Sequence, residues 1–169
     1  MTPNALLTVP VGVVVERHKA TSPWVDFIWR PTTVLSGVPA AAPWTPLAAT
    51  GDTMTFYAGA AAIALHRTET ANYIGNLRSG APQLWVVLRP TNGEPPYEVL
   101  AVTADPAEGE AFTEAGNDLV DTVPMPADIK DALEAFVAEH HIERAFYKRQ
   151  HNSVGERGLG SRKPRVGEP

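Results

Sequence analysis

The sequence predicts an α+β domain: a mainly antiparallel, curved sheet or partial barrel, with two C-terminal helices and a flexible basic tail. Three observations point there. From Val9 to Leu35, apolar β-branched and aromatic residues alternate with period two, the mark of strands with one buried face. Sixteen Pro and thirteen Gly in 169 residues punctuate the chain into short elements and disfavour a helical bundle. Well-marked helix signals come late, at residues 106–115 and 126–141.

Residues 1–8 are expected to be loose. In the first strand Val11, Val13 and Val15 share one face, and Gly12, Val14 and Glu16 the other. In the second, Val25, Phe27 and Trp29 share a face, opposite Trp24, Asp26, Ile28 and Arg30. His18 to Pro23 supplies the polar loop between them. Pro31 puts the second strand at a sheet edge or at a bulge. Residues 36–51, rich in Pro, Ala and Gly, read as a loop whose Trp44 plugs the core. Thr53–Ala58 reads as a strand, Gly59 as a turn or bulge, and Ala62–His66 as another short strand. Thr68–Arg78 admits a short helix capped by Thr68 or Thr70 and weakened by Gly75.

Gln83–Arg89 is the expected central strand, and Asn92-Gly93 turns the chain into its hairpin partner, Tyr97–Thr103. Asp105 then caps a helix with Pro106 at its first position and Glu108 in its first turn. Ala107, Ala111, Phe112 and Ala115 form its expected buried stripe, and Gly116 ends it. Leu119–Val123 is extended. Pro126 opens the last helix, whose Ile129, Leu133, Phe136, Val137 and His140 fall on one face. After Glu143 the hydrophobic period stops, which divides the chain into a globular domain, 1–142, and a basic segment and tail, 143–169.

Charge follows the same division. Residues 1–142 carry 7 Lys/Arg against 16 Asp/Glu, a net −9, and residues 143–169 carry 7 against 3, a net +4. An acidic body would repel phosphate, which disfavours a nucleic-acid binder. With no Cys there is no disulfide, thiolate metal site or cysteine nucleophile. Met1–Val9 has no basic start or sustained apolar run, so no secretory signal is expected. The longest small-apolar run, Ala58–Leu65, is far short of the roughly 20 residues of a membrane span. The expectation is a soluble, cytoplasmic protein.

No catalytic signature stands out. His140 and His141 are adjacent, so they diverge by about 100° on a helix and cannot easily serve one ion; neither a metal nor another cofactor is expected. No serine lies in a G-x-S-x-G context, and Gly155–Gly160 lacks the order of a phosphate loop. Two stretches carry candidate function. In Arg67–Leu77, the residues Arg67, Glu69, Tyr73 and Asn76 lie close together, either as a small enzyme site or as a hydrogen-bond network holding a turn. In Ile142–Arg149, Phe146 and Tyr147 are interleaved with Arg144, Lys148 and Arg149, either as a segment suited to an acidic or nucleic-acid surface or as an exit from the last helix in which Phe146 folds back on the core and the cations are solvated.

The segments GVVVERHKATSPWVDFIWRPTTVL, YIGNL, LWVVLRP, VTADPAEGEAF, VDTVPMP and HHIERAFYKRQ resemble a bacterial family of unknown function, over about Val11 to Arg149. Its members are typically encoded beside molybdenum-dependent formate dehydrogenase genes. In that family a denser Lys/Arg run follows the F-x-K-R element, where this chain has KRQHNSVGERG. The resemblance implies an accessory or interaction role in assembly or maturation of that molybdoenzyme, without catalysis, and it assigns no catalytic residue. The expected partner is a formate dehydrogenase subunit or maturation factor, met by Arg144, Phe146, Tyr147, Lys148 and Arg149 or by the acidic body. The alternative is a small enzyme with its site near Arg67, Glu69, Tyr73 and Asn76.

Overall fold

β1 (Leu7–Lys19) contains the longest β-branched run of the chain and takes an inner position in the larger of two antiparallel sheets. The computed structural model describes residues 5–141. β1 pairs on one side with β2 (Phe27–Ser36) and on the other with β4 (Thr53–Leu65), which pairs in turn with β3 (Thr45–Thr50). The smaller sheet has the order β6-β5-β7, from β5 (Gln83–Pro90), β6 (Tyr97–Thr103) and β7 (Leu119–Pro124). β6 lies beside β4 and β7 beside β2, so the sheets enclose one core without closing into a single ladder.

That core joins Val11, Val13 and Val15 of β1 to Leu84, Val86 and Leu88 of β5. The alternation expected in β1 is therefore the one observed, and β5 is central in its sheet, as expected. Trp85 and Val87, on the other face of β5, lie toward α2 (Pro106–Ala115). α3, running from 127 to the last described residue, 141, adds Ile129, Leu133 and Phe136 to the core. Its Asp128, Asp131 and Glu134 face water, as expected. The Asp105 carboxylate accepts from the Ala107 and Glu108 N–H groups at 2.9 and 3.4 Å, and Gly116 ends α2 in the left-handed region.

Four expectations are corrected. The second strand begins at Phe27, leaving Trp24 and Val25 in the turn before it; Trp24 is 89% exposed. It then runs on through Pro31, because β2 is an edge strand and a register shift falls there, opposite Val14/Val15. Residues 36–51 are not all loop. Residues 45–50 form the outer strand β3, an exposed segment whose pairing comes from the tight turn at Gly51-Asp52 and the neighbouring β4, not from its own propensity. The two short strands expected around Gly59 are one 13-residue strand with a bulge.

The fourth correction concerns α2. Its buried residue is Gly109; Ala107, Ala111 and Ala115 are exposed and Phe112 is half-buried. The helix approaches the small sheet so closely that a Cβ on Gly109 would sit 2.3 Å from the Trp85 ring. The segment of uncertain type, 68–78, forms a 3-10 turn (Arg67–Glu69) and α1 (Thr70–Leu77), with Glu69 at the N-cap position and no side-chain cap. The expected partner segment and tail lie outside the described residues.

Two substitutions test this packing. Gly109→Ala should lose about 1–3 kcal/mol by overpacking, outweighing a helix-propensity gain of about 1 kcal/mol. Leu84→Ala should lose about 2–5 kcal/mol. Denaturant midpoints check both; an unchanged or raised midpoint for Gly109→Ala would contradict the close approach of α2 to Trp85.

Candidate functional site

The first candidate set divides between the inside and the outside of the protein. Asn76 is buried and acts as a three-way clip. Its amide nitrogen donates to the Gln83 and Ala104 carbonyls at 2.8 and 3.0 Å, and its amide oxygen accepts from the Gln83 N–H at 3.0 Å. It thereby fastens α1 to the start of β5 and to the chain leaving β6. Tyr73 is 1% exposed, packs edge-on against Phe136, and accepts at its hydroxyl from the His66 N–H at 2.9 Å. Burial pushes the Tyr73 hydroxyl pKa up to about 12, helped by the charges of Asp105, Glu69 and Glu108 and opposed by the His66 hydrogen bond.

Arg67 is exposed, and it too is engaged by neighbours. Glu69 is half-buried and accepts from Asn72 and from the Thr68 hydroxyl. Asn72 also donates to the capping Asp105 at 3.0 Å. The Thr103 hydroxyl donates to Glu108 at 2.6 Å and accepts from the Asp105 N–H at 3.1 Å. Together these bonds lock α1 against the start of α2. The four residues are thus near one another in sequence, but Tyr73 and Asn76 spend their polar atoms inside the fold.

A second constellation was missed by sequence reasoning. Trp29 of β2 is stacked on Phe56 of β4 at 5.9 Å and meets Trp44 and Tyr97 edge-on at 5.8 and 6.2 Å. Phe27 joins it at 6.4 Å, and the Arg17 guanidinium lies 4.2 Å from the centre of the Phe27 ring. The chain places Trp44 there through a turn in which Thr45 N–H donates to the Ala42 carbonyl at 3.3 Å, with Pro43 second and Trp44 third. Trp44 has φ +68, as the third position of a type II turn requires, where Gly or Asn is usual. The only advance signals were the shared face of Phe27 and Trp29 and the isolated Trp44.

Trp44 and Tyr97 also line an open groove of about 500 Å³ at the seam between β4 and β6. Pro43 lines it with Trp44, Ala58 to Ala60 line it from β4, and the 91–99 hairpin supplies Glu94, Pro95 and Glu98. Neither Glu94 nor Glu98 has an ion-pair partner among the described residues. Arg89, opposite Glu98 in the ladder, is committed to Asp118 at 3.3 Å.

Three further histidines among the described residues behave as packing and hydrogen-bonding groups. His140 lies 4.5 Å from the Phe136 ring, His141 pairs with the Thr70 hydroxyl at 3.1 Å, and His18 bridges Glu16 and Thr53. Among the described residues no group of three or more His, Asp or Glu is placed to hold a metal ion. No helix among them is long and apolar enough to cross a membrane. Arg144, Phe146, Tyr147, Lys148 and Arg149 lie outside the described residues.

Fold and site together define a small antiparallel α+β domain with a polar clip at its helical end and an aromatic-walled groove at its sheet seam. The chain belongs to the family described as protein of unknown function DUF3305, which matches it over residues 10–150. No curated protein and no solved structure matches it.

Burial of Tyr73 has a consequence in alkali. Its hydroxyl ionises near 10 in the unfolded chain and at about 12 in the fold. The stabilisation is therefore complete below pH 10 and is lost as pH rises from 10 through about 12. Tyr73→Phe should remove the last-titrating tyrosinate signal and flatten the alkaline fall in stability. Ultraviolet absorbance titration and denaturation at several pH values check this; an unaltered titration curve in the variant would contradict it.

Proposed function

We propose that this protein is a non-catalytic accessory or interaction protein in the assembly or maturation of a molybdenum-dependent formate dehydrogenase. The observation that supports an interaction role is the exposed apolar end of the β1–β2 hairpin. Trp24 is 89% exposed, Ile28 55% and Val25 53%, and exposed apolar surface gathered in one place marks contact sites more often than idle surface. The formate dehydrogenase assignment rests on the resemblance of the sequence segments quoted above. The proposed contact segment, with Arg144, Phe146, Tyr147, Lys148 and Arg149, falls inside the family match, which continues past the last described residue, 141, to residue 150. The competing reading, a small enzyme at Arg67, Glu69, Tyr73 and Asn76, would have to use a buried phenol and an amide already saturated by the fold.

Deleting the gene in its native host should lower formate dehydrogenase activity and the amount of assembled enzyme. Normal levels of active, assembled enzyme in the deletion strain would contradict the proposal. The Lys148→Glu/Arg149→Glu variant should capture less formate dehydrogenase subunit or maturation factor. Its stability should shift by under about 0.5 kcal/mol, as for surface changes away from packed features. Capture by the native protein should also weaken between 0.1 and 1 M salt, as the screening length falls from about 10 to about 3 Å. Capture that survives both changes would remove residues 144–149 from the interface.

A further inference from the structure

We infer that the groove between Trp44 and Tyr97 is a docking site for the chain's own basic C-terminal segment, residues 161–165, Ser-Arg-Lys-Pro-Arg. This goes beyond the accessory reading and does not depend on it.

The groove has the chemistry of a receptor for an extended, proline-containing, cationic strand. Aromatic rings and prolines form its walls, with Trp44 and Pro43 on one side and Tyr97 and Pro95 on the other. Aromatic-lined grooves take up polyproline-type segments because such segments are already extended before they bind. Glu94 and Glu98 add two carboxylates without an ion-pair partner among the described residues. The only cation placed opposite Glu98 in the sheet, Arg89, is held by Asp118.

The proposed occupant answers each feature. Arg162, Lys163 and Arg165 surround Pro164 and carry three positive charges within four residues. The body they would meet has a net charge of −9, from 7 Lys/Arg against 16 Asp/Glu in residues 1–142. Reach is ample. Twenty residues separate His141 from Arg162, and an extended chain of that length spans up to roughly 70 Å. A domain of this size has a radius of gyration of about 14 Å and is under about 40 Å across. Because the segment belongs to the same chain, docking is intramolecular, and tethering supplies an effective concentration that can approach the millimolar range, so even a weak contact is populated.

Zero-length carbodiimide coupling of the full-length protein, followed by peptide mass spectrometry, tests this. Lys163 is the one lysine after residue 150. The expected result is a monomeric product in which Lys163 is joined to Glu94 or Glu98. Its yield should fall several-fold in 1 M salt, where the screening length is only about 3 Å. It should fall likewise in the Arg162→Glu/Arg165→Glu variant, which keeps the reactive lysine and leaves the described fold untouched. Coupling of Lys163 spread over other carboxylates such as Glu110, Glu114 and Asp131, coupling found only in dimers, or no coupling would each overturn the inference.

Discussion

Val11, Val13 and Val15 fill the inner face of β1, while the Tyr57 ring and Pro39 close over Gly12 on the outer face, so that five consecutive residues are shut off from water. Burying a valine side chain contributes roughly 1.5–3 kcal/mol, and a slip of one residue would exchange the two faces. That constraint fixes the register of both neighbours. β4 matches β1 in length, pairing from Leu65 opposite Leu7 to Thr53 opposite His18. β2 follows β1 as far as Ser36 opposite Val11, absorbing Pro31 with a register shift. On the outer face the close approach is possible because Gly12 has no Cβ; one added there would lie 2.9 Å from Tyr57 and 3.0 Å from Pro39.

Beyond Val15 the inner face of β1 carries Arg17, and the core changes from aliphatic to aromatic. Trp29 gathers ring contacts from β2, β4, β6 and the turn at Trp44, and so ties the edge of the small sheet to the large one where no ladder joins them. Edge-on and offset ring pairs contribute about 0.5–1.5 kcal/mol each beyond area burial. Trp44 makes two of them, with Trp29 and Phe56, at 5.8 Å each. A left-handed backbone at a non-glycine residue costs about 1–2 kcal/mol, so the ring contacts and burial together outweigh the conformational cost. The same geometry leaves one wall of the groove aromatic. At the opposite end the helices are joined to the sheet by polar bonds, with Asn76 and Asp105 as the principal acceptors and donors of that seam.

Elements whose local chemistry agrees with their tertiary role were legible in the sequence. The valine alternation of β1, the QLWVVLR run of β5 and the Asp105-Pro106 helix start each name their own structure. Legibility failed where a neighbour decides. TPLAAT has no strand signature and becomes β3 because β4 and a tight turn present it with a free edge. The alanines and Phe112 looked like the buried stripe of the 106–115 helix, yet Gly109 is the contact residue, because Trp85, distant in sequence, lies under it. Glu69, Tyr73 and Asn76 looked like a constellation because they are close along the chain. Helix geometry sends Tyr73 and Asn76 inward and leaves Glu69 half-buried. The aromatic cluster draws on residues from 17 to 97, a long-range assembly that no short motif can announce.

The central claim, that a doubly buried β1 organises the domain, is tested most directly by native-state hydrogen exchange. Amides of Val11 to Val15 should exchange only through global unfolding, with opening free energies equal to the stability measured by denaturation, while those around Gly51 and Gly93 open at little cost. If the β1 amides instead exchange by a partial opening that leaves β5 and the helix over 127–141 protected, β1 is not the strand on which the fold depends.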